Sequence, residues 1–411
     1  MKKFWMYAVC TICLMAACTE SQHFTTEGLC LVDVASAMEN QTELKISDLG
    51  NDVCYIPLET TDSCLIGNDP KLLLLDKHIV VYTRKDCFLF NKTNGKFISK
   101  VGYGGDSPEA YSDAKPIYND VEKMLCFKRE PNIFQRYDLQ GKYQGKMMIP
   151  THPVVPNDFI FTDSFAIGHY NSIGQEFSSR SLVFFNTRGE QKDTLSSLLP
   201  VLPEKHIGDV KRFSVRKQGL TNFVLVEFKD DSYSANITDL SFLWKQGSKV
   251  RFKEAFIDTI YTLERNRLVP DIAFSTGKWH WGAEARTDSK DNHNRLLMTT
   301  VFETNLTLFF QSVREVYSDQ PETYNGVYDR KAGTTRMYPE KAGFIDDLNG
   351  FMAFCPQTYN SLGEYGMMKS SNEVLIWLEE HPEAVQNKKL SALKKLNEDS
   401  NPMVVITVPR E

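Results

Sequence analysis

Three glycines recur at nearly even spacing: Gly95, Gly141 and Gly189 lie 46 and 48 residues apart, each in a polar turn between aromatic-rich runs. The run "KLLLLDKHIVVYTR" followed by "CFLFNKTNGKFISKVG" reads as four strands with a hairpin at Asn94-Gly95. "VEKMLCFKR" with "IFQRYDLQGKYQGKMMIP", and "DSFAIGHYN" with "RSLVFFNTRGEQKDTL", repeat the plan with turns at Gln140-Gly141 and Arg188-Gly189. A polar residue followed by Gly supplies the positive φ of a tight hairpin. A period of this length is one four-stranded blade of a toroid, an arrangement that protects sheet edges by radial repetition.

Later stretches keep the strand character with longer insertions: "NFVLVEFKDDSYSANITD", "EAFIDTIYTLE", "NRLLMTTVFETNLTLFFQ" and "NGVYDRKAGTTRMY". About 330 residues divided by roughly 45 to 60 per blade predicts an all-β, six-bladed β-propeller, with seven as the other count. Helical patterning comes only at 371–397, "SNEVLIWLEEHPEAVQNKKLSALKKLN". Ser371 or Asn372 is the expected N-cap, Val374, Leu375 and Leu378 share a face, and Pro382 divides a helical pair. The closing "PMVVITV" is a strand that would pair with an early one and join the ends of the chain.

The beginning of the chain bears on location. Lys2 and Lys3 precede an uncharged, mostly apolar run from Phe4 to Ala17, too short for a membrane-spanning helix and ended by small residues. Leu14-Met15-Ala16-Ala17-Cys18 resembles a bacterial lipobox with Met15 in the slot usually held by Leu. The expected organisation is a signal peptide over 1–17, a lipidated Cys18 opening a tether over 18–28, and a propeller domain over 29–411. Two or three acyl chains on Cys18 would anchor the protein firmly to the membrane.

Six cysteines follow the tether: Cys30, Cys54, Cys64, Cys87, Cys126 and Cys355. Their irregular spacing, without a C-x-x-C pair, argues against a structural zinc site, and no metal or cofactor is expected. Several lie in apolar runs, where a free thiol packs as a small hydrophobe. A Cys54–Cys64 bridge is the disulfide that export would most readily permit. The net charge of −6, from 53 acidic and 47 basic residues mixed along the chain, leaves no basic footprint for nucleic acid.

"VCYIPLETTDSCLIG", "FNKTNGKFISKVGYGGDSPEAY", "FIDTIYTL" and "LKKLNEDSNPMVVITV" together resemble the six-bladed β-propeller lipoproteins of Bacteroidota. In those proteins an "IPLETT" strand is followed by an F-D-x-x-G-K-F hairpin and a G-x-G-G-x-x-P-x-E-Y corner. Here Asn91 replaces the hairpin Asp, and Ala110 is inserted between Glu109 and Tyr111. The resemblance implies a cell-envelope address, with the outer membrane as the expected site, and brings no activity with it.

No G-x-S-x-G elbow, H-E-x-x-H or P-loop occurs, so no catalytic residue is assigned. Three stretches are candidate ligand surface. In "GKWHWGAEAR", Trp279 and Trp281 flank His280; on a strand both indoles would share one face and offer a stacking platform for sugars or apolar peptide side chains. In "GYGGDSPEAY", Asp106 and Glu109 would face a channel as a cation or hydroxyl site. In "PETYNGVYDRKAG", Tyr324, Tyr328 and Arg330 would form a rim loop, with Arg330 reading a carboxylate or pairing with Asp329. The leading expectation is a binding or scaffold module for a glycan, a peptide or another envelope protein. The alternatives are a propeller lyase or hydrolase with a channel site, and a structural subunit of an envelope complex. An enzyme would bring two or more of Asp106, Glu109, His280, Asp329 and Arg330 together.

Overall fold

The computed structural model describes residues 28–129, 132–148, 156, 158–163, 165–170, 182–203, 205–290 and 292–410. The signal peptide and Cys18 lie outside the described residues.

Sheet 1 is built from Lys71–Leu74, His78–Tyr82, Cys87–Asn91 and Phe97–Lys100, in that order. Sheet 2 comprises Pro116–Asn119, Met124–Arg129, Ile133–Asp138 and Tyr143–Met148, and sheet 3 Asp158–Phe161, Phe165–His169, Leu182–Asn186 and Gln191–Leu195. Sheet 4 uses Leu243–Gln246, Lys249–Phe252, Thr259–Glu264 and Arg267–Ser275; sheet 5 uses Leu296–Glu303, Thr307–Arg314, Glu322–Asp329 and Thr334–Pro339. Sheet 6 joins both ends of the domain. Thr358–Tyr359, Tyr365–Lys369 and Met403–Val408 are followed by Asp52–Pro57, which pairs antiparallel with the final strand as the sequence anticipates.

The turns that mark the period share one device. Asn91, Asp138 and Asn186 each accept a backbone N–H two residues on, and Gly95, Gly141 and Gly189 follow with φ of 70°, 82° and 76°. Such side-chain-to-backbone bonds mimic a backbone turn. A Cβ on Gly95 would sit 2.1 Å from the Pro57 carbonyl oxygen, so the turn needs glycine for space as well as for φ. The device returns at Asp329 with Gly333 and at Asn360 with Gly363, where the sequence period had been lost.

Successive side chains of a strand point to opposite faces, and the run Cys87-Phe88-Leu89-Phe90 is buried throughout because both faces are covered. Phe88 and Phe90 pack with Val404 and Ile406 of sheet 6, whereas Cys87 and Leu89 pack with Leu125 and Phe127 of sheet 2. The same relation joins sheets 2 and 3 (Phe134 with Phe159 and Phe185), 3 and 4 (Phe184 with Phe252), 4 and 5 (Phe274 with Phe310) and 5 and 6 (Val327 with Val405). The first strand of sheet 3 also lies beside those of sheets 2 and 4, and that of sheet 1 beside sheet 6. This is β-propeller architecture.

Three features depart from expectation. An antiparallel sheet of Val210–Gln218, Thr221–Phe228 and Tyr233–Thr238 is inserted between sheets 3 and 4, which is why the period fails there. A short helix, α1 (Val34–Glu39), leads from the strand Cys30–Asp33, which extends sheet 4 in parallel. The C-terminal helical pair is one α-helix, α2 (Ser371–Glu380), followed by two 3-10 turns at Pro382–Gln386 and Ser391–Lys395. Ser370, rather than Ser371 or Asn372, is its N-cap: its Oγ accepts from the Glu373 N–H while the Glu373 carboxylate accepts from the Ser370 N–H. Leu390, Leu393 and Leu396 are buried against sheets 5 and 6. All six cysteines are free; Cys54 is exposed, while Cys64 is buried and donates to the Glu59 carbonyl, so no Cys54–Cys64 bridge forms. No helix among the described residues is long and apolar enough to cross a membrane.

Candidate functional site

A groove of about 330 Å³ opens between sheets 2 and 3. Its wall on sheet 2 is Arg136, Lys146, Met147 and Met148; on sheet 3 it is Phe161, Asp163, Ala166 and the turn Asn186 to Arg188. Two turns shape its mouth. Asn119 accepts the Val121 and Glu122 N–H groups, and Asn186 accepts those of Arg188 and Glu190, so both corners are held by side-chain oxygens. Phe161 and Ala166 are buried, and Met147 packs on the same cluster as Phe134 and Phe159, which makes the floor an extension of the core between the sheets. Arg136 is fixed: its guanidinium donates to Glu122 Oε2 at 3.2 Å and to the Gln144 carbonyl at 3.3 Å. Lys146 and Arg188 are exposed and have no ion-pair partner among the described residues. The groove thus offers an apolar, adaptable floor and a mixed rim, the cations of Lys146 and Arg188 with the carboxylates of Glu122 and Asp163, chemistry suited to a ligand with an apolar or ring-shaped body and an acidic group.

The tryptophans predicted as a platform are buried and do not share a face. Gly277 (φ 56°) opens a one-turn helix, Gly277–Trp279, in place of a strand, so the alternation W-H-W does not put both indoles on one side. Trp279 packs with Val34, Met38 and Phe274, with Lys278 Nζ 4.4 Å above its ring. Trp281 is in a different cluster, edge-on to Phe256 and Tyr317, and its Nε1 donates to the Ala285 carbonyl. His280 between them is exposed, with Nδ1 3.1 Å from Asp258 Oδ2, and that hydrogen bond raises its pKa above the ordinary histidine value.

Asp106 and Glu109 are exposed, and the corner that carries them is gripped by its backbone. The Arg129 guanidinium donates to the carbonyls of Asp106, Ser107 and Ala110, Gln135 Nε2 to those of Pro108 and Ala110, and the Tyr137 hydroxyl to that of Glu109. Its role is to link sheets 1 and 2. Tyr324 is buried rather than on a rim; burial and the nearby Glu322, whose carboxylate its hydroxyl contacts at 2.5 Å, push it up to about 12. Tyr328 is half-buried and its hydroxyl accepts from Cys30 Sγ. Arg330 turns away from Asp329 and donates to Glu303 Oε1 at 2.6 Å, while Asp329 accepts the Lys331 and Ala332 N–H groups. None of Asp106, Glu109, His280, Asp329 and Arg330 bonds to another of the five.

Sequence reading missed the network at Glu303. Its carboxylate is fully buried between sheets 4 and 5, where Oε1 accepts from Arg251 Nη2 (2.9 Å) and Arg330, and Oε2 from Arg251 Nε (3.1 Å) and Trp244 Nε1 (2.9 Å). Arg251 also contacts Asp271 and Thr262. The one available signal was the pair of charges alternating with apolar residues in "KVRFKEAF". Lys253, two residues on, is buried and donates to the Met298 carbonyl, and burial lowers its pKa to about 8. Among the described residues no three His, Cys, Asp or Glu side chains gather as metal ligands.

The family described as "Domain of unknown function (DUF4934)" matches residues 29–408. The chain belongs to the DUF4934 family. Among solved structures, this DUF4934 protein is similar to a protein of Bacteroides fragilis described as a candidate exported protein, with a TM-score of 0.60 and 15% identity, covering 93% of this chain and 100% of that one. That likeness shows the fold alone. Weaker similarity links it to the RRP9 WD40 repeats (TM-score 0.38, 10% identity, 89% and 99% covered) and to BamB from Moraxella catarrhalis (TM-score 0.26, 13% identity, 58% and 68% covered). No curated protein matches the DUF4934 chain.

Proposed function

We propose that this DUF4934 protein is an extracytoplasmic binding module: a closed six-bladed propeller, lipid-anchored through Cys18, that holds an acidic ligand in the groove between sheets 2 and 3. The six sheets would be the six blades. Support for closure comes from the pairing of Asp52–Pro57 with Met403–Val408 and from the cyclic order in which sheets share core clusters. Support for export comes from the lipobox-like segment at Cys18 and from the description of the Bacteroides fragilis neighbour.

The observation that carries the binding role is the groove itself, with its apolar floor and the exposed Lys146 and Arg188 at its edge. Binding is favoured over catalysis because none of the candidate acid and base residues bonds to another, and His280, Asp329 and Arg330 are each held by a structural partner. The ligand class is an acidic glycan fragment or a short acidic peptide. Calorimetric titration with a panel of both, at low and at physiological salt, tests the reading against a Lys146→Ala/Arg188→Ala variant. Both side chains are exposed, so the variant should melt as the wild type does while losing about tenfold or more in affinity. Unchanged affinity in the variant, or no binding across the panel, would remove the groove as the ligand seat. Incorporation of labelled palmitate, lost on Cys18→Ala, tests the anchor separately.

A further inference from the structure

The inserted sheet has two unlike faces. Its inner face packs Phe223, Leu225 and Ile237 with Trp281, Leu297 and Val313, and its hairpin tip is clamped where Gln311 Oε1 accepts the Leu220 N–H. On the other face Phe213 and Val215 are 62% and 60% exposed, neighboured across the ladder by the half-buried Val226 and Val224. Phe213 and Val215 lie on Val210–Gln218, which forms an edge of its sheet and, among the described residues, pairs only with Thr221–Phe228.

That edge is unusual in length. The outermost strands of sheets 1, 2, 3, 5 and 6 have four to six residues, whereas Val210–Gln218 has nine. The other nine-residue strand that could end a sheet, Arg267–Ser275, is covered by Cys30–Asp33 of the same chain. A long edge with exposed apolar side chains is a template for an added strand. The hairpin closes on Gln218 and Thr221 across the two-residue loop Gly219-Leu220. Ladder bonds therefore fall at residues 218, 216, 214 and 212, and the N–H groups of Lys217, Val215 and Phe213 point away from the sheet.

The charges indicate what lies down on this edge. The strand carries Lys211, Arg212, Arg216 and Lys217 and no acidic residue. Lys211 and Arg212 lean on Glu227, and Arg216 on Asp319, while Lys217 has no ion-pair partner among the described residues. Lys211-Arg212-Phe213-Ser214-Val215-Arg216-Lys217 reads almost the same in both directions about Ser214. A second copy paired antiparallel across a two-fold at Ser214 would set arginine against arginine and lysine against lysine, and like charges directly opposite are destabilising. Acidic side chains opposed to Arg212 and Arg216, which alternate with Phe213 and Val215, would be stabilised instead.

We infer that the free edge of Val210–Gln218 is a docking strand for an extended segment of a partner protein in which acidic residues alternate with apolar ones. The segment adds to the sheet by main-chain hydrogen bonds. Its apolar side chains cover Phe213 and Val215, and its carboxylates, on the opposite face, meet Arg212 and Arg216.

The test uses the full-length protein in detergent and fluorescent nine-residue peptides of alternating valine and glutamate, or valine and lysine, measured by anisotropy. The valine–glutamate peptide should bind, weaken as salt rises, and outbind its lysine counterpart by at least tenfold. Val215→Pro removes an outward N–H and no ladder bond, so it should leave the melting temperature close to wild type while cutting binding tenfold or more. Arg212→Glu should weaken the glutamate peptide and strengthen the lysine one. The inference is overturned if Val215→Pro binds as the wild type does, if both peptides bind alike or neither binds, or if the edge instead forms a dimer of this chain that Val215→Pro dissociates.

Discussion

Replacing Glu303 by glutamine probes what holds sheets 4 and 5 together. The side chain keeps its shape, yet each carboxylate oxygen accepts two donors: Arg251 and Arg330 at Oε1, Arg251 and Trp244 at Oε2. An amide has one acceptor oxygen, so its NH₂ must face two N–H donors whichever way it is turned. The substitution also removes the charge that balances Arg251, whose side chain is 5% exposed. Asp271 remains as a partner for Arg251, but Arg330 loses the only ion pair it has among the described residues. Breaking a buried pair by removing one member costs about 3–5 kcal/mol. With an unfolding entropy of about 2.1 cal/mol/K per residue over roughly 380 residues, that corresponds to a fall in Tm of about 4–6 °C. Differential scanning calorimetry of wild type, Glu303→Gln and Glu303→Ala reads this directly. A Glu303→Gln protein that melts within about 1 °C of wild type would refute the reasoning, because it would mean that the carboxylate's charge and acceptor count do not matter there.

Asn401→Leu should cost about 2–3 kcal/mol in urea denaturation, since it strands the Ile66 N–H and the carbonyls of Glu59 and Cys64 that the buried amide now satisfies; a loss under about 0.5 kcal/mol would count against it. His169 is buried against Phe242, and burial alone lowers its pKa to about 3. A base whose folded pKa is depressed contributes stability that is present above its unfolded value and lost as pH falls, here from about 6.5 toward 3. His169→Phe should therefore lose less stability than wild type between pH 6.5 and 4, by on the order of 2–3 kcal/mol, and parallel pH curves would contradict this. A thiol reagent should modify Cys54 in the native protein, whereas Cys64, Cys87 and Cys126 should react only after unfolding; a Cys54 that reacts only after reduction would reveal a bridge.

The parts of the fold that could be read from the text are those whose signal is local. "CFLFN" and "MVVITV" are unbroken apolar strands because neighbouring sheets cover both faces, and the Asx-to-Gly turns recur because a hairpin bonds to itself within a few residues. The period failed at 210–238 because an inserted hairpin has the same local chemistry as a blade and differs only in what it packs against. The candidate site residues fared less well. Trp279 and Trp281 sit two positions apart yet enter different clusters, because Gly277 turns the chain where an extended strand had been expected. Arg330 had Asp329 beside it in sequence and found Glu303 instead, two strands away in its own sheet.

By itself, then, the sequence determined the β-rich repeat, the turn positions, the late helix and the strand that returns to the beginning, all consequences of side-chain alternation and of which residues tolerate tight turns. The tertiary structure alone decided which charges are neutralised and which stay free. Glu303 and Arg251 are 52 residues apart and Lys146 and Arg188 come from different sheets. Whether a cation is spent on the fold or left for a ligand depends on partners brought close only by packing, and no local pattern encodes that distance.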